Sequence, residues 1–314
     1  MCLMKLLFVK IFICIFMQLR YSACKDVRVE GRPFIVKNSS RSTISVIKNQ
    51  GSKDVTNKWE LEIGHINLRN KSYNLDVGDQ FLKQAEGEHA SVASFARHTL
   101  QLLTMGAPAE LLTASQKASI DEIKHAKMCY GLAGNFLRSR VEAGVLDVEK
   151  SLEFSTHKDI IQSVITEGCI GETLSAIQMK VGSHSAKQSV VKQILEEIAI
   201  DESKHAQLAW NTIQWAFKRY PELQSFIKDT FNNILEKDLK QEASDYDEPK
   251  EFVSRCDQED KNRFLLDHGI LNEKAKSQVD EVGILDIVKP NLKQNFLTVD
   301  KISENIMKMN LDDI

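Results

Sequence analysis

The chain has 314 residues, of which 42% are hydrophobic and 27% charged, with a formal net charge of −3 at neutral pH. This is the composition of a soluble globular protein, and it gives no electrostatic reason to expect a nucleic-acid partner. Glycine (14), proline (5) and aromatics (7%) are scarce, which argues against a turn-rich β architecture and for long helices.

Residues 1–23 read as a signal peptide. Lys5 precedes an apolar run from Leu6 to Met17, broken only by Lys10, and the small residues Ser22 and Ala23 follow. An apolar core of about twelve residues is too short to span a bilayer, so the expected destination is the secretory pathway or the extracellular space. An uncleaved anchoring segment is the other reading. Cys2 and Cys14 leave with this segment; Cys24, Cys129, Cys169 and Cys256 are too few and too scattered for a disulfide framework. Asn38-Ser-Ser and Asn70-Lys-Ser match the glycosylation sequon and fit secretion.

Residues 24–75 form an N-terminal arm in which short β-prone runs (Arg32-Pro-Phe-Ile-Val, Thr43-Ile-Ser-Val-Ile) alternate with polar stretches. From 76 to 220 apolar residues recur at three- and four-residue intervals, which predicts four helices. Met105-Gly-Ala-Pro108 separates the first two, with Pro108 suited to a helix start. Residues 144–155 are a longer crossover, Gly182-Ser-His-Ser185 separates the last two helices, and Pro221 stops the fourth. Residues 221–314 read as a helical extension: a helix over 222–242, an acidic break at 245–250, and shorter helical patterns around 263–269 and 272–292. The expected fold is therefore all-α, an antiparallel four-helix bundle with an extended arm and extra C-terminal helices.

Asp121-Glu-Ile-Lys-His-Ala and Asp201-Glu-Ser-Lys-His-Ala share five of six residues at an offset of 80. Glu and His three apart lie on one helix face, so both reach a single ion. Each pair also falls on an apolar stripe: Ala114, Ala118, Glu122, His125 and Cys129 in the second helix, Leu195, Ile198, Glu202, His205 and Ala209 in the fourth. Charged groups that face a core are costly unless paired or coordinated. A third match, Glu62-Ile-Gly-His65, lies in the polar arm and is assigned no role.

A two-ion site needs carboxylates from the other two helices. In an antiparallel hairpin, residues at equal height lie equally far from the turn. Midway between Glu88 and Glu122 is residue 105, at the first turn; midway between Glu167 and Glu202 falls between His184 and Ser185, at the expected second turn. The expected ligands are Glu88, Glu122, His125, Glu167, Glu202 and His205. Asp121 and Asp201 suit the task of accepting the outer ring N–H of a metal-bound histidine. His89 reads as a core or supporting histidine. Glu172, paired with Glu202, has its midpoint at Lys187, inside the expected fourth helix, hence at the wrong height for a ligand. It is read either as a channel or supporting group, or as the partner of a cation on a packed neighbour. Cys129 and Cys169 are taken as packing.

The order Glu, Glu-x-x-His, Glu, Glu-x-x-His over four helices resembles the ferritin-like superfamily. Its Asp-Glu-x-Lys-His context resembles the di-iron oxidase, rubrerythrin and desaturase branches more than the ferritins proper. Glu88-His-Ala-Ser-Val-Ala-Ser-Phe-Ala, Gly106-Ala-Pro and Glu167-Gly-Cys-Ile-Gly-Glu-Thr are similar to those of a group of bacterial ferritin-like proteins, many exported or lipid-anchored. The arm (Gly31-Arg-Pro-Phe-Ile-Val) and the tail (His268-Gly-Ile-Leu, Val288-Lys-Pro) share the likeness. Tyr21-Ser-Ala-Cys24 lacks the aliphatic start of a lipobox, so membrane anchoring is not expected. The resemblance implies a ferritin-like bundle holding two iron ions, or manganese in their place, and names no substrate.

Four carboxylates and two neutral imidazoles suit two ions of total charge +4 and leave positions open for dioxygen or peroxide. Glu122 and Glu202 are expected to bridge the ions; Glu88, Glu167, His125 and His205 are expected to be terminal. The expected function is an oxidase- or oxygenase-type redox enzyme with an unidentified small-molecule substrate or reductant. Iron buffering without turnover and a metal-free structural bundle are the other readings.

Overall fold

In the computed structural model the described residues are 34–36, 39–41, 46–48, 59, 61–64, 66 and 68 of the arm, then 71–149, 151, 156–241, 255–294, 296 and 299–309. The signal-peptide reading of 1–23, Cys24, His65, Asn38 and Asn70 all fall outside them.

Helix α1 (Lys71–Thr104) begins inside the stretch read as arm, and a turn with Gly106 at φ 66° leads to α2 (Ala109–Leu137). Pro108 precedes the first residue of α2, where a missing N–H costs no helical bond. After the crossover, α3 occupies 157–185, and Thr156 with Asp159 forms a reciprocal capping box at its start. Helix α4 is Ser189–Arg219. α1 pairs with α2, α3 pairs with α4, and α2 packs on α4. Among the described residues no helix is long and apolar enough to cross a membrane.

The arm contributes paired strands. β1 (Phe34–Val36) pairs antiparallel with β2 (Ser39–Arg41), and β3 (Val46–Lys48) with β4 (Arg140–Glu142) just after α2. β1 lies on α1, where Phe34 is buried beside Ala90.

The turn between α3 and α4 differs from the sequence expectation. Gly182-Ser-His-Ser185 remains helical, and the connection is 186–188. Gly182 serves close packing rather than turning: a Cβ there would stand 2.5 Å from the carbonyl oxygen of Gly269, which itself has φ 77°. Gly182→Ala is expected to push the 265–271 turn off α3 and to destabilise the fold by about 1–3 kcal/mol, read by denaturant melting. An unchanged midpoint would show that this approach is not a tight one.

Within α3, Val164–Glu172 is π-helical, so hydrogen bonds there span five residues instead of four. Most of this helix is covered, with Lys158, Asp159, Gln162, Thr166 and His184 left exposed. After Pro221, α5 (Gln224–Gln241), α6 (Arg255–Leu266), α7 (Glu273–Gly283, continuing through the π turn Ile284–Val288 to Lys289–Lys293) and α8 (Ile302–Lys308) complete the chain. α7 and its π turn pack on α3, and α8 packs on α3 and α4. Ile160, Ile161, Val164, Ile165 and Ile177 share one buried cluster with Val279, Ile287, Val288 and Ile302. Polar tethers fix the extension: Gln178 donates to Asp280 at 2.7 Å, and Lys180 Nζ donates to the carbonyls of Ile306 (3.3 Å) and Met309 (2.7 Å).

Candidate metal centre

The four helices bring Glu88 (α1), Glu122 and His125 (α2), Glu172 (α3), and Glu202 and His205 (α4) to one buried place. Glu88, Glu122, His125 and Glu202 offer ligand atoms within 4.8 Å of one another, and so do Glu122, Glu172, Glu202 and His205. Glu122 and Glu202 belong to both groups. Five of these residues are at most 2% exposed; Glu88, at 9%, is the most accessible.

Nδ1 of each imidazole points inward. His125 Nδ1 lies 3.2 Å from Glu202, 3.7 Å from Glu88 and 3.8 Å from Glu122; His205 Nδ1 lies 3.1 Å from Glu122 and 3.5 Å from Glu202. Nε2 points outward to an aspartate of the other repeat. His125 faces Asp201 and His205 faces Asp121, each at 3.4 Å. Each aspartate thus orients the histidine of the opposite helix, an exchange that follows from the antiparallel packing of α2 and α4. Asp201 is held further by Lys204 at 2.7 Å. Between α2 and α4 a surface pocket of about 400 Å³ runs past Ala114, Ala118 and Leu208 to the outer edge of His205.

The protonation of these groups is tied together by their burial and mutual charges. Burial, then the charges of Glu122 and Glu202, raise the Glu88 carboxyl well above its ordinary range. Burial and the adjacent Glu202 do the same to Glu172. Burial would lower both histidines, but the surrounding carboxylates prevail: Asp201, Glu122 and Glu202 hold His125 well above its usual value, and Asp121, Glu122 and Glu202 do so for His205. Burial would raise Glu202, yet the two imidazoles keep it well below the carboxylate range.

The donor atoms could hold metal. Glu122 Oε2, both carboxylate oxygens of Glu172 and of Glu202, and Nδ1 of both histidines are buried and make no hydrogen bond of acceptable geometry. The close Nδ1–oxygen approaches are therefore contacts of charge without alignment. Buried oxygen and nitrogen donors in this state carry the full cost of desolvation. Two divalent ions would satisfy them together: Glu122 and Glu202 shared, His125 and Glu88 on one side, His205 and Glu172 on the other, with Nε2–H donated to Asp201 and Asp121. Asp201→Asn, which keeps the shape and removes the charge behind His125, is expected to weaken metal uptake by about 10- to 100-fold. Competition against a chromogenic chelator measures it, and an unchanged affinity would remove Asp201 from the centre.

Glu167 and Glu172 exchange the places expected from spacing. Because the α3–α4 turn is 186–188, the midpoint of Glu172 and Glu202 at Lys187 falls in the turn itself, so Glu172 stands level with Glu202. Glu167 lies outside both groups. It accepts from Ser94 Oγ at 3.2 Å and from Arg97 Nη2 at 3.4 and 3.5 Å. His89 is turned edge-on to Trp59 of the arm, with ring centroids 4.7 Å apart, and burial lowers its pKa. Cys129 and Cys169 are buried thiols. Spacing alone missed Phe95, whose ring lies edge-on 5.0 Å from that of His205, and the Ser94 and Arg97 partners of Glu167. The available signal was Arg97 itself, a long cation directly after the run Val92-Ala-Ser-Phe-Ala.

No protein-family model matches the chain, and no curated protein or solved structure shows significant similarity to it.

Proposed function

We propose that helices α1–α4 form a ferritin-like antiparallel bundle whose function is to hold two metal ions, iron in the first place, and to react with dioxygen or peroxide as an oxidase- or oxygenase-type redox protein. The observation that carries this reading is the pair of overlapping buried ligand groups that share Glu122 and Glu202, with their inward oxygen and nitrogen atoms lacking hydrogen bonds. Four carboxylates offset the charge of two divalent cations, and carboxylate with imidazole is a donor set suited to iron or manganese.

When bound, such ions supply reversible electron transfer and open positions for an oxidant. The chain supplies the rest. Glu122 and Glu202 would hold the ions, while Asp121 and Asp201 orient the imidazoles. Phe95 and the buried faces of α3 limit the entry of water. This exclusion strengthens every electrostatic contact in the pocket.

The test is anaerobic loading with ferrous iron, metal analysis, and then mixing with oxygen or peroxide under optical observation. The expected result is about two ions per folded chain and a rapid absorbance change that is absent from Glu122→Ala/Glu202→Ala. Repeated turnover with an added reductant supports a redox enzyme; a single stoichiometric oxidation supports iron buffering instead. A folded chain that binds no metal leaves the structural-bundle reading.

A further inference from the structure

The two ligand groups come from near-identical repeats, yet their surroundings differ. Each histidine faces an aspartate of the other repeat at 3.4 Å. Behind His125, Asp201 also accepts from Lys204 Nζ at 2.7 Å, and its side chain is 12% exposed. Behind His205, Asp121 is 33% exposed, and no lysine or arginine among the described residues is in contact with it. Lys124 is the repeat counterpart of Lys204, but it pairs with Glu197 of α4 instead of Asp121. From there its charge reaches both aspartates, so it does not set them apart. The flanking carboxylates are unequal as well. Glu172, in the His205 group, is fully buried, and neither of its oxygens has a hydrogen-bond partner. Glu88, in the His125 group, is 9% exposed, so water satisfies part of it without metal.

Resting on the metal-centre reading, we infer that the two ion positions are unequal: the one offered by His205 and Glu172 fills first, and Lys204 is the positioning residue that weakens the other. An aspartate that accepts Nε2–H makes its imidazole a stronger donor at Nδ1. Asp201 divides its charge between His125 and Lys204. It therefore supports His125 less than Asp121 supports His205. Water screens Asp121 in part, but an ammonium in direct contact offsets a carboxylate more strongly. The same ammonium adds positive charge on the side where a cation would bind to His125. Glu172 acts in the same direction. Donors buried without partners gain most from an ion, and both of its oxygens are in that state.

Cobalt(II) is the probe, titrated into the full-length protein against a chromogenic chelator, so no turnover is needed. Two binding steps are expected, separated by roughly tenfold or more in affinity. Glu88→Gln is expected to lose the weaker step and Glu172→Gln the tighter one. In Lys204→Met the weaker step should tighten by roughly tenfold while the tighter one stays, which brings the two together. Lys204→Arg keeps the charge and should keep the parent isotherm. Lys124→Met makes the same change in the twin lysine and is expected to leave the separation unchanged. Each variant is measured on the folded fraction from gel filtration. The inference is overturned if the parent steps coincide, if Glu88→Gln loses the tighter step, if Lys204→Met keeps the parent separation, or if Lys124→Met closes it. A parent protein that takes up no cobalt sinks the metal-centre reading itself, which is a separate outcome.

Discussion

Glu202→Gln is expected to abolish uptake of both ions at once. Glu202 belongs to both ligand groups and lies 3.2 Å from His125 and 3.5 Å from His205. The amide keeps the volume but removes a negative charge from the point where two cations would meet, and its nitrogen offers no ligand lone pair. Residues that merely support ligands account for about 10- to 100-fold in affinity, so the loss here is expected to exceed about 100-fold. The metal-free protein also suffers, because removing one member of a buried charge cluster costs about 3 kcal/mol. Metal content is therefore measured on the folded fraction from gel filtration. Glu62→Gln, at an exposed glutamate of the arm, is the matched control and is expected to change nothing. Retention of one full equivalent by Glu202→Gln would show that the ions do not share this carboxylate.

The second large effect is a divergence with pH between the metal-free and loaded proteins. In the metal-free protein Glu88 and Glu172 are raised above 4.5, and His125 and His205 above 6.5. The native chain then holds protons that the unfolded chain has released, so stability falls as pH rises, by about 1.4 kcal/mol per pH unit for each extra proton held. For the carboxyls this window opens at their ordinary value, and for the histidines at theirs. Glu122, Glu202 and Asp201 shift the other way, so their stabilisation is lost only below the ordinary carboxylate range. Between about pH 5 and about pH 8 the first set governs, and metal-free stability declines. Loading requires the same groups to be deprotonated, so stabilisation by metal grows over the same interval. Melting temperatures in a chelator and in excess manganese should separate as pH rises; parallel curves would contradict the cluster as described.

What the sequence made legible was whatever depends on regular helical geometry. The two Glu-x-x-His repeats sit on ordinary α-helical turns, and Glu88 meets Glu122 because the 105–108 turn is where glycine and proline mark it. The third helix broke those rules in two ways. Gly182 reads as a turn residue but marks the close approach of Gly269 from the C-terminal extension, which shifts the apparent turn toward the N-terminus and selects Glu167 over Glu172. The π-helical stretch then carries both glutamates inward, which a period of 3.6 does not anticipate. The two apolar stripes that left Glu172 ambiguous reflect a helix that packs on α4 and also carries α7 and α8, a tertiary fact absent from the local pattern. The crossed histidine–aspartate contacts and the pairing of Arg97 with Glu167 likewise depend on how helices face each other. The arm's β-prone runs do pair, β3 with a strand that lies after α2.

The most direct test is anomalous diffraction from crystals of the chain loaded with ferrous iron or manganese. Two peaks should appear about 3.5–4 Å apart, both in contact with Glu122 and Glu202, one on Nδ1 of His125 with Glu88 and the other on Nδ1 of His205 with Glu172. A single peak, a peak held by Glu167 in place of Glu172, or no density between the two repeats would contradict the account.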